Sequence, residues 1–237
     1  LGQEKFGALP EGDELLRIKA SPNYVDGEFR NLIPRPVLSD GSSLAGTFFR
    51  FLLKKRPSDV QPGRVPSQKP DFRALQHAGD TLVWLGHSSF YLQLGGRRLL
   101  IDPVLGNHAS PVSFSVPAFP GSTPCSARDL PPIDCLLISH DHWDHLEYAT
   151  VAELPGDVVN IPGHLRIHVT SASDYSGRAL TRNKALWTGF MLETPSRKIF
   201  FSGDGGYGPH FADMGRRFSG VDLALLDSGQ YNESWKY

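Results

Sequence analysis

The chain has 237 residues, enough for one α/β domain with a substantial core or two small ones, and a formal net charge of −1. That near-neutral balance gives no global electrostatic case for a nucleic-acid partner, and no apolar run approaches the roughly 18 residues that would span a bilayer. Two cysteines, Cys125 and Cys135, are too few for a disulfide framework and are expected as free thiols.

Residues 1–79 read as an irregular, proline-punctuated N-terminal region packed on the core. Glu11–Lys19 is a short helix candidate. Ser43–Arg56 is a stronger one: Leu44, Phe48, Phe51 and Leu52 follow roughly helical spacing, and Lys54-Lys55-Arg56 suits the negative helix end. It reads as a helix docked on the core, with a lipid-facing surface as the other reading. Pro57–Pro70 is a linker or surface loop.

The pattern changes at Asp80, where a domain over residues 80–237 begins. Thr81–Leu85, Ser89–Leu94 and Arg98–Ile101 are strand candidates, the last two joined by the Gly95-Gly96 turn. Asp102 ends this hairpin; it either orients a metal-binding histidine or caps the Pro103 turn. Asn107–Arg128 is a long, proline-rich loop of the kind that often binds ligands. His108 within it reads as a surface residue.

Cys135–Ile138 is a short apolar run, hence a buried strand. It leads straight into Ser139-His140-Asp141-His142-Trp143-Asp144-His145. His140 and His142 project to one side of an extended segment, because side chains alternate with period 2. The chain then turns into a helix over about Leu146–Leu154, with Asp144 and His145 at its entrance. One segment thus offers two ligands to one metal and two to a neighbour. Neutral imidazole and carboxylate together suit zinc, iron or manganese.

Val158–Pro162, Arg166–Thr170, Leu186–Leu192, Lys198–Phe201 and Val221–Leu226 are further strand candidates, and Pro209–Phe218 a helix. His168, alternating with apolar residues in its strand, reads as structural. Asp204 follows an apolar strand within Gly203-Asp204-Gly205-Gly206, where glycines let backbone approach closely.

Trp84-Leu85-Gly86-His87-Ser88-Ser89, Ile101-Asp102-Pro103, Leu130–Asp134, Ser139–Tyr148, Phe201–Tyr207 and Arg217–Ala224 together resemble the metallo-β-lactamase superfamily. The resemblance is to its branch of N-acyl phosphatidylethanolamine-hydrolysing phospholipase D and bacterial relatives. It implies an α/β fold, the αβ/βα four-layer sandwich, with the site at one edge. It also implies two zinc ions, with iron or manganese as substitutes. His140 and His142 would hold one metal, Asp144 and His145 the other, and Asp204 both. The implied activity is phosphodiester hydrolysis by a metal-activated water, with Asp144 also a proton acceptor and His87 a catalytic or substrate-contacting group. Arg178, Arg182 and Lys184 would meet a phosphate, and Phe114 and Phe119 would form walls of the entrance.

The sequence departs from that pattern at three places. Where relatives place a ligand histidine, it has Asp174, a shorter and harder donor that favours a harder metal, weakens the first site or leaves it empty. An intervening segment expected between Gly163-His164-Leu165 and Arg166 is missing. A C-terminal stretch carrying a last histidine ligand does not follow Tyr237. Relatives often carry an apolar anchor ahead of the start, and the chain begins without Met, so a cytoplasmic and a membrane-associated location both stay open. Expected partners are a small-molecule or phospholipid substrate and a peripheral membrane contact. Two other readings stand beside the phosphodiesterase: hydrolysis of a lactone, thioester or β-lactam, and a catalytically impaired metal-binding protein.

Overall fold

The structure is a computed structural model and describes residues 3–34, 43, 46, 49, 53, 63–112, 115–154, 164–178 and 181–228. The expected helix Ser43–Arg56 lies almost wholly outside these residues, as do the expected strand Val158–Pro162 and the side chain of Phe114.

The N-terminal region supplies α1 (Gly12–Lys19), the small hairpin β1 (Tyr24–Val25) and β2 (Glu28–Phe29), and the single turn α2 (Phe72–Leu75). Asp71 caps α2 by accepting hydrogen bonds from the Arg73 and Ala74 amides. A first sheet follows: β3 (Thr81–Gly86), β4 (Ser89–Leu94), β5 (Arg97–Ile101) and β6 (Cys135–Leu137), hydrogen-bonded in that order. After α3 (Tyr148–Glu153) comes a second sheet of β7 (Arg166–Ser171), β8 (Thr188–Glu193), β9 (Lys198–Phe201) and, beyond α4 (Pro209–Arg217), β10 (Leu223–Leu225). Its order is β10-β9-β8-β7. The pairs β5–β6 and β9–β10 are parallel and the others antiparallel.

Alternation along the strands builds the layers. Leu92, Leu94, Leu99, Ile101 and Leu137 of the first sheet share one buried cluster with Phe190, Leu192, Ile199 and Phe201 of the second. The two sheets therefore pack face to face. The intervening residues point outward. Tyr91 and Leu100 meet Phe72, Leu105, Cys125 and Leu130, while Met191 and Phe200 meet Met214 and Phe218 on α4. Helices and loops on both outer faces complete the expected four layers.

Local chemistry sets the element ends. Gly95 and Gly96 both have positive φ (57° and 75°), which the tight β4–β5 turn requires. β8 begins at Thr188 rather than Leu186, where the ladder with β7 starts opposite Ser171, and the Trp187 Nε1 ahead of it donates to Asn31 Oδ1 at 2.9 Å. β10 starts at Leu223, since the Asp222 carboxylate accepts from the Lys198 amide at 2.7 Å. α3 starts at Tyr148, because the His145 and Leu146 amides both donate to the His142 carbonyl in a turn. Both cysteines are free, and burial pushes the Cys125 thiol up to about 11. His168 is structural as expected: it faces Glu193 at 3.2 Å and packs on Phe218.

This topology positions the site. β3, β5 and β6 run in one direction, so residues following all three emerge at one end of the first sheet. β7 and β9 likewise share a direction in the second sheet. His87, Asp102 and Ser139–His145 follow the first set; Asp174 and Asp204 follow the second.

Candidate metal centre

Asp102 anchors the site from below. It is fully buried with φ +43°, its carbonyl accepts from Ser89 Oγ, and its carboxylate faces the chain after β6. Oδ1 accepts from the Ser139 amide at 2.7 Å, and Oδ2 accepts from Ser139 Oγ at 2.5 Å. Oδ2 also lies 2.9 Å from His145 Nδ1. Of the two sequence-level roles for Asp102, orienting a histidine is thus the observed one. The contact turns His145 Nε2 toward Asp204 Oδ2, 3.1 Å away. A carboxylate behind an imidazole fixes the tautomer and leaves the outer nitrogen for a cation.

Asp204 reaches the site on a loop that only glycine permits. A Cβ on Gly203 would lie 2.4 Å from the Thr188 carbonyl oxygen, and one on Gly205 would lie 2.7 Å from that of Ser173. Both glycines have positive φ.

Three overlapping donor groups result, each with its donor atoms within 4.8 Å of one another: His140, His142 and Asp174; His140, His145 and Asp204; and His87, Asp144 and His145. His140 Nε2 stands 2.8 Å from His142 Nδ1 and 3.4 Å from Asp174 Oδ2. His87 Nε2 stands 3.2 Å from Asp144 Oδ2, held there by a turn residue with φ +45°.

The electrostatics leave neutral imidazoles at His140 and His142. Burial, together with neighbouring His145 and His142, lowers the His140 pKa to about 3, so its lone pair is available. Burial lowers His142 as well. Burial would also lower His145, yet its hydrogen bonds to Asp102 and Asp204 prevail and raise it to about 10. Burial and the Asp204 charge raise Asp174 to about 7. Asp144 moves down: burial opposes this, but the hydrogen bond from His87 and the charge of His145 outweigh it. Most telling is Asp174 Oδ2, a buried oxygen with no hydrogen-bond partner. A buried carboxylate oxygen without a partner is costly, and a metal ion beside it would remove that cost.

The chain matches the Beta-lactamase superfamily domain over residues 97–164 and 149–237. It belongs to that family. Its relatives include an uncharacterized protein of Mycobacterium tuberculosis, 29% identical over 246 aligned positions that take in 91% of this chain and 66% of that protein. A UPF0173 metal-dependent hydrolase of Pyrobaculum islandicum is 30% identical over 62% of this chain and 70% of its own length. N-acyl-phosphatidylethanolamine-hydrolyzing phospholipase D 1 of Caenorhabditis elegans is 26% identical over 65% of this chain and 54% of its own. The chain thus spans about two thirds of the first of these relatives or less of the last. Among solved structures, a possible metal-dependent hydrolase of Veillonella parvula shares the fold, with a TM-score of 0.51 at 13% identity over 63% of this chain and 71% of that one.

The alignment with the mycobacterial protein has more positions than this chain has residues, so that relative carries residues within the matched region that have no counterpart here. The two family segments overlap at 149–164, close to the expected missing segment.

The expected phosphate-binding cations are placed unequally. Arg178 braces the metal loop: Nη1 donates to the carbonyls of Asp141 and Leu146, Nε donates to that of Lys5, and the guanidinium stacks on Trp143 at 4.0 Å. Lys184 donates to the Gly27 carbonyl, on the β1–β2 hairpin. Arg182 lies over Tyr175, whose ring packs against His142, and so is linked to the donor groups through an aromatic contact. Phe119 is half exposed, and Phe114 is outside the described residues. A cavity of about 270 Å³ runs beside Ser171–Ser173, just ahead of Asp174, lined also by Leu32, Ile33 and His210 but not by Phe119.

Sequence reasoning missed Ser139, whose hydroxyl bridges Asp102 and the ring of His140 at 3.0 Å. Its place between the buried strand and the first histidine was the available signal. It also missed Asp141 Oδ1, which accepts from the Gly177 amide at 2.8 Å and ties the histidine loop to the Asp174 loop.

Proposed function

We propose that this protein is a metal-dependent hydrolase, a dinuclear phosphodiesterase of phospholipase D type acting on a phospholipid-like diester at a membrane surface. One observation carries the reading: the donor groups are continuous, with Asp204 and His145 lying between a histidine-rich side and an Asp144 side. His140, His142 and Asp174 would hold one zinc ion or a substitute metal, and His87, Asp144 and His145 the other, with Asp204 between. Such ions lower the pKa of water and neutralise charge on a phosphoryl oxygen.

The chain's own residues divide the remaining work. Asp144 is part exposed and kept ionised, so it keeps its negative charge for a cation while His87 orients its Oδ2. Asp102 and Ser139 fix the imidazoles against rotation. Arg182 is the side chain best placed to meet an anionic headgroup. Without cations, carboxylates Asp144, Asp174 and Asp204 would repel a phosphodiester, so a diester substrate requires a loaded site. The C. elegans relative, named for hydrolysis of an N-acyl phosphatidylethanolamine, supports the choice of diester. Among the described residues no helix is long and apolar enough to cross a membrane, so the reading needs only peripheral contact.

The test pairs elemental analysis with hydrolysis of bis-p-nitrophenyl phosphate. Two metals per chain with turnover, and at least about a 100-fold loss in His142→Ala, are expected. Turnover of a p-nitrophenyl carboxylic ester or a lactone, with the diester untouched, would move the reading to carbonyl hydrolysis.

A further inference from the structure

We infer that the His140–His142–Asp174 group is a two-histidine, one-carboxylate site that selects iron(II) or manganese(II) over zinc more strongly than a three-histidine group at the same place would. The inference rests on the metal-centre reading above and concerns which ion the site takes.

Three observations support it. First, the donor atoms are two imidazole nitrogens and one carboxylate oxygen. His140 Nε2 and His142 Nδ1 are 2.8 Å apart and lie 3.4 and 4.0 Å from Asp174 Oδ2. Metal-to-donor distances of about 2.0–2.2 Å separate neighbouring donors by about 3–4 Å, so small adjustments seat an ion among the three. Second, the 4.0 Å separation is too long for a hydrogen bond and the 3.4 Å one is at its limit, and Oδ2 has no other partner. The oxygen is buried but unused by the protein. Third, the position is rigid. The Asp174 carbonyl accepts from Asn31 Nδ2 at 2.8 Å, the neighbouring Tyr175 ring packs on His142 at 4.6 Å, and Asp141 holds the Gly177 amide. The carboxylate is therefore held against the two imidazoles by backbone and packing on both sides.

Donor chemistry then decides the ion. A carboxylate is harder than imidazole and carries a full negative charge. Exchanging a neutral nitrogen for it raises affinity for manganese and iron relative to zinc, and two histidines with one carboxylate and open positions is a donor set suited to iron(II). Raw affinity still rises along the first-row series toward zinc, so the effect is a change in ratio.

The experiment is anaerobic equilibrium dialysis of the metal-stripped chain against equal concentrations of zinc, manganese and iron(II), followed by elemental analysis. Wild type, Asp174→His and Asp174→Asn are compared, with far-UV circular dichroism as the folding check. The (Mn + Fe)/Zn ratio in wild type is expected to exceed that of Asp174→His by about tenfold or more, and Asp174→Asn loses one metal per chain. Equal ratios in wild type and Asp174→His, or an Asp174→Asn chain that keeps all its metal, overturn the inference. If Asp174→His does not fold, manganese(II) resonance on the wild type decides: loss of the free-ion signal, restored by Asp174→Asn, supports the site, and no loss overturns it. A chain that binds no metal sinks both this inference and the proposed function. The expected ratio without diester turnover sinks only the phosphodiesterase.

Discussion

The two sides of the donor band differ in what surrounds them. On one side, His140 is buried, His142 and Asp174 are nearly so, and a carboxylate oxygen faces two imidazoles with no hydrogen-bond partner. On the other, the side chains of His87 and Asp144 are 53% and 42% exposed and already paired with each other. The closed side is incomplete without a ligand, whereas the open side satisfies itself and meets solvent. A buried unpaired oxygen creates demand for a cation, and an exposed pair creates access for water and substrate. His145 joins the two and is itself tied to the core by Asp102.

The largest expected effect comes from cutting that common anchor. Asp102→Ala leaves the His145 and Ser139 polar groups buried without their partner, and loss of one member of such a buried pair costs about 3–5 kcal/mol. Urea unfolding of the metal-free protein measures it, and a cost below about 1 kcal/mol would show that the two sides are anchored separately.

Arg178→Ala comes next. It removes the guanidinium from three backbone carbonyls and from the Trp143 face. A hydrogen bond to a charged group contributes about 1.5–3 kcal/mol net, and the three carbonyls left by Arg178 regain water in part, so a total loss of about 2–3 kcal/mol is expected. Because Arg178 braces the loop rather than the exposed pair, its loss should lower metal retention on both sides. Arg178→Lys restores the charge but not the fork, and is expected to recover less than half of the stability.

His87→Ala is the smallest in stability and the sharpest for the comparison. An exposed ion pair contributes about 0–1 kcal/mol, so the unfolding midpoint should scarcely move. One metal equivalent should nevertheless become easier to strip with a chelator while the other is retained. Equal loss of both would erase the distinction between a closed and an open side.

Much of this was legible in the chain. The period-2 alternation of Leu92, Leu94, Leu99 and Ile101, the Gly95-Gly96 turn and the histidine cluster after an apolar strand each carry their signal within a few residues, and the observed strands follow them. The roles of the cations were not legible. Arg178, Arg182 and Lys184 sit within seven positions of one another, yet one braces the histidine loop, one overlies Tyr175 and one ties down the β1–β2 hairpin. A long flexible side chain takes its role from whichever carbonyl or ring the fold brings within reach, and proximity in sequence does not specify that.

The sequence by itself determined the layered α/β fold, the order of its strands and the set of residues able to bind metal, because local periodicity, glycine geometry and ligand chemistry are properties of short segments. Only the tertiary structure decided the partnerships: that Asp102 stands behind His145, that His87 meets Asp144, and that Asp174 meets two histidines with an oxygen to spare. Those pairs join residues up to 57 positions apart on different strand ends, and they arise because β3, β5, β6, β7 and β9 deliver their loops to one edge.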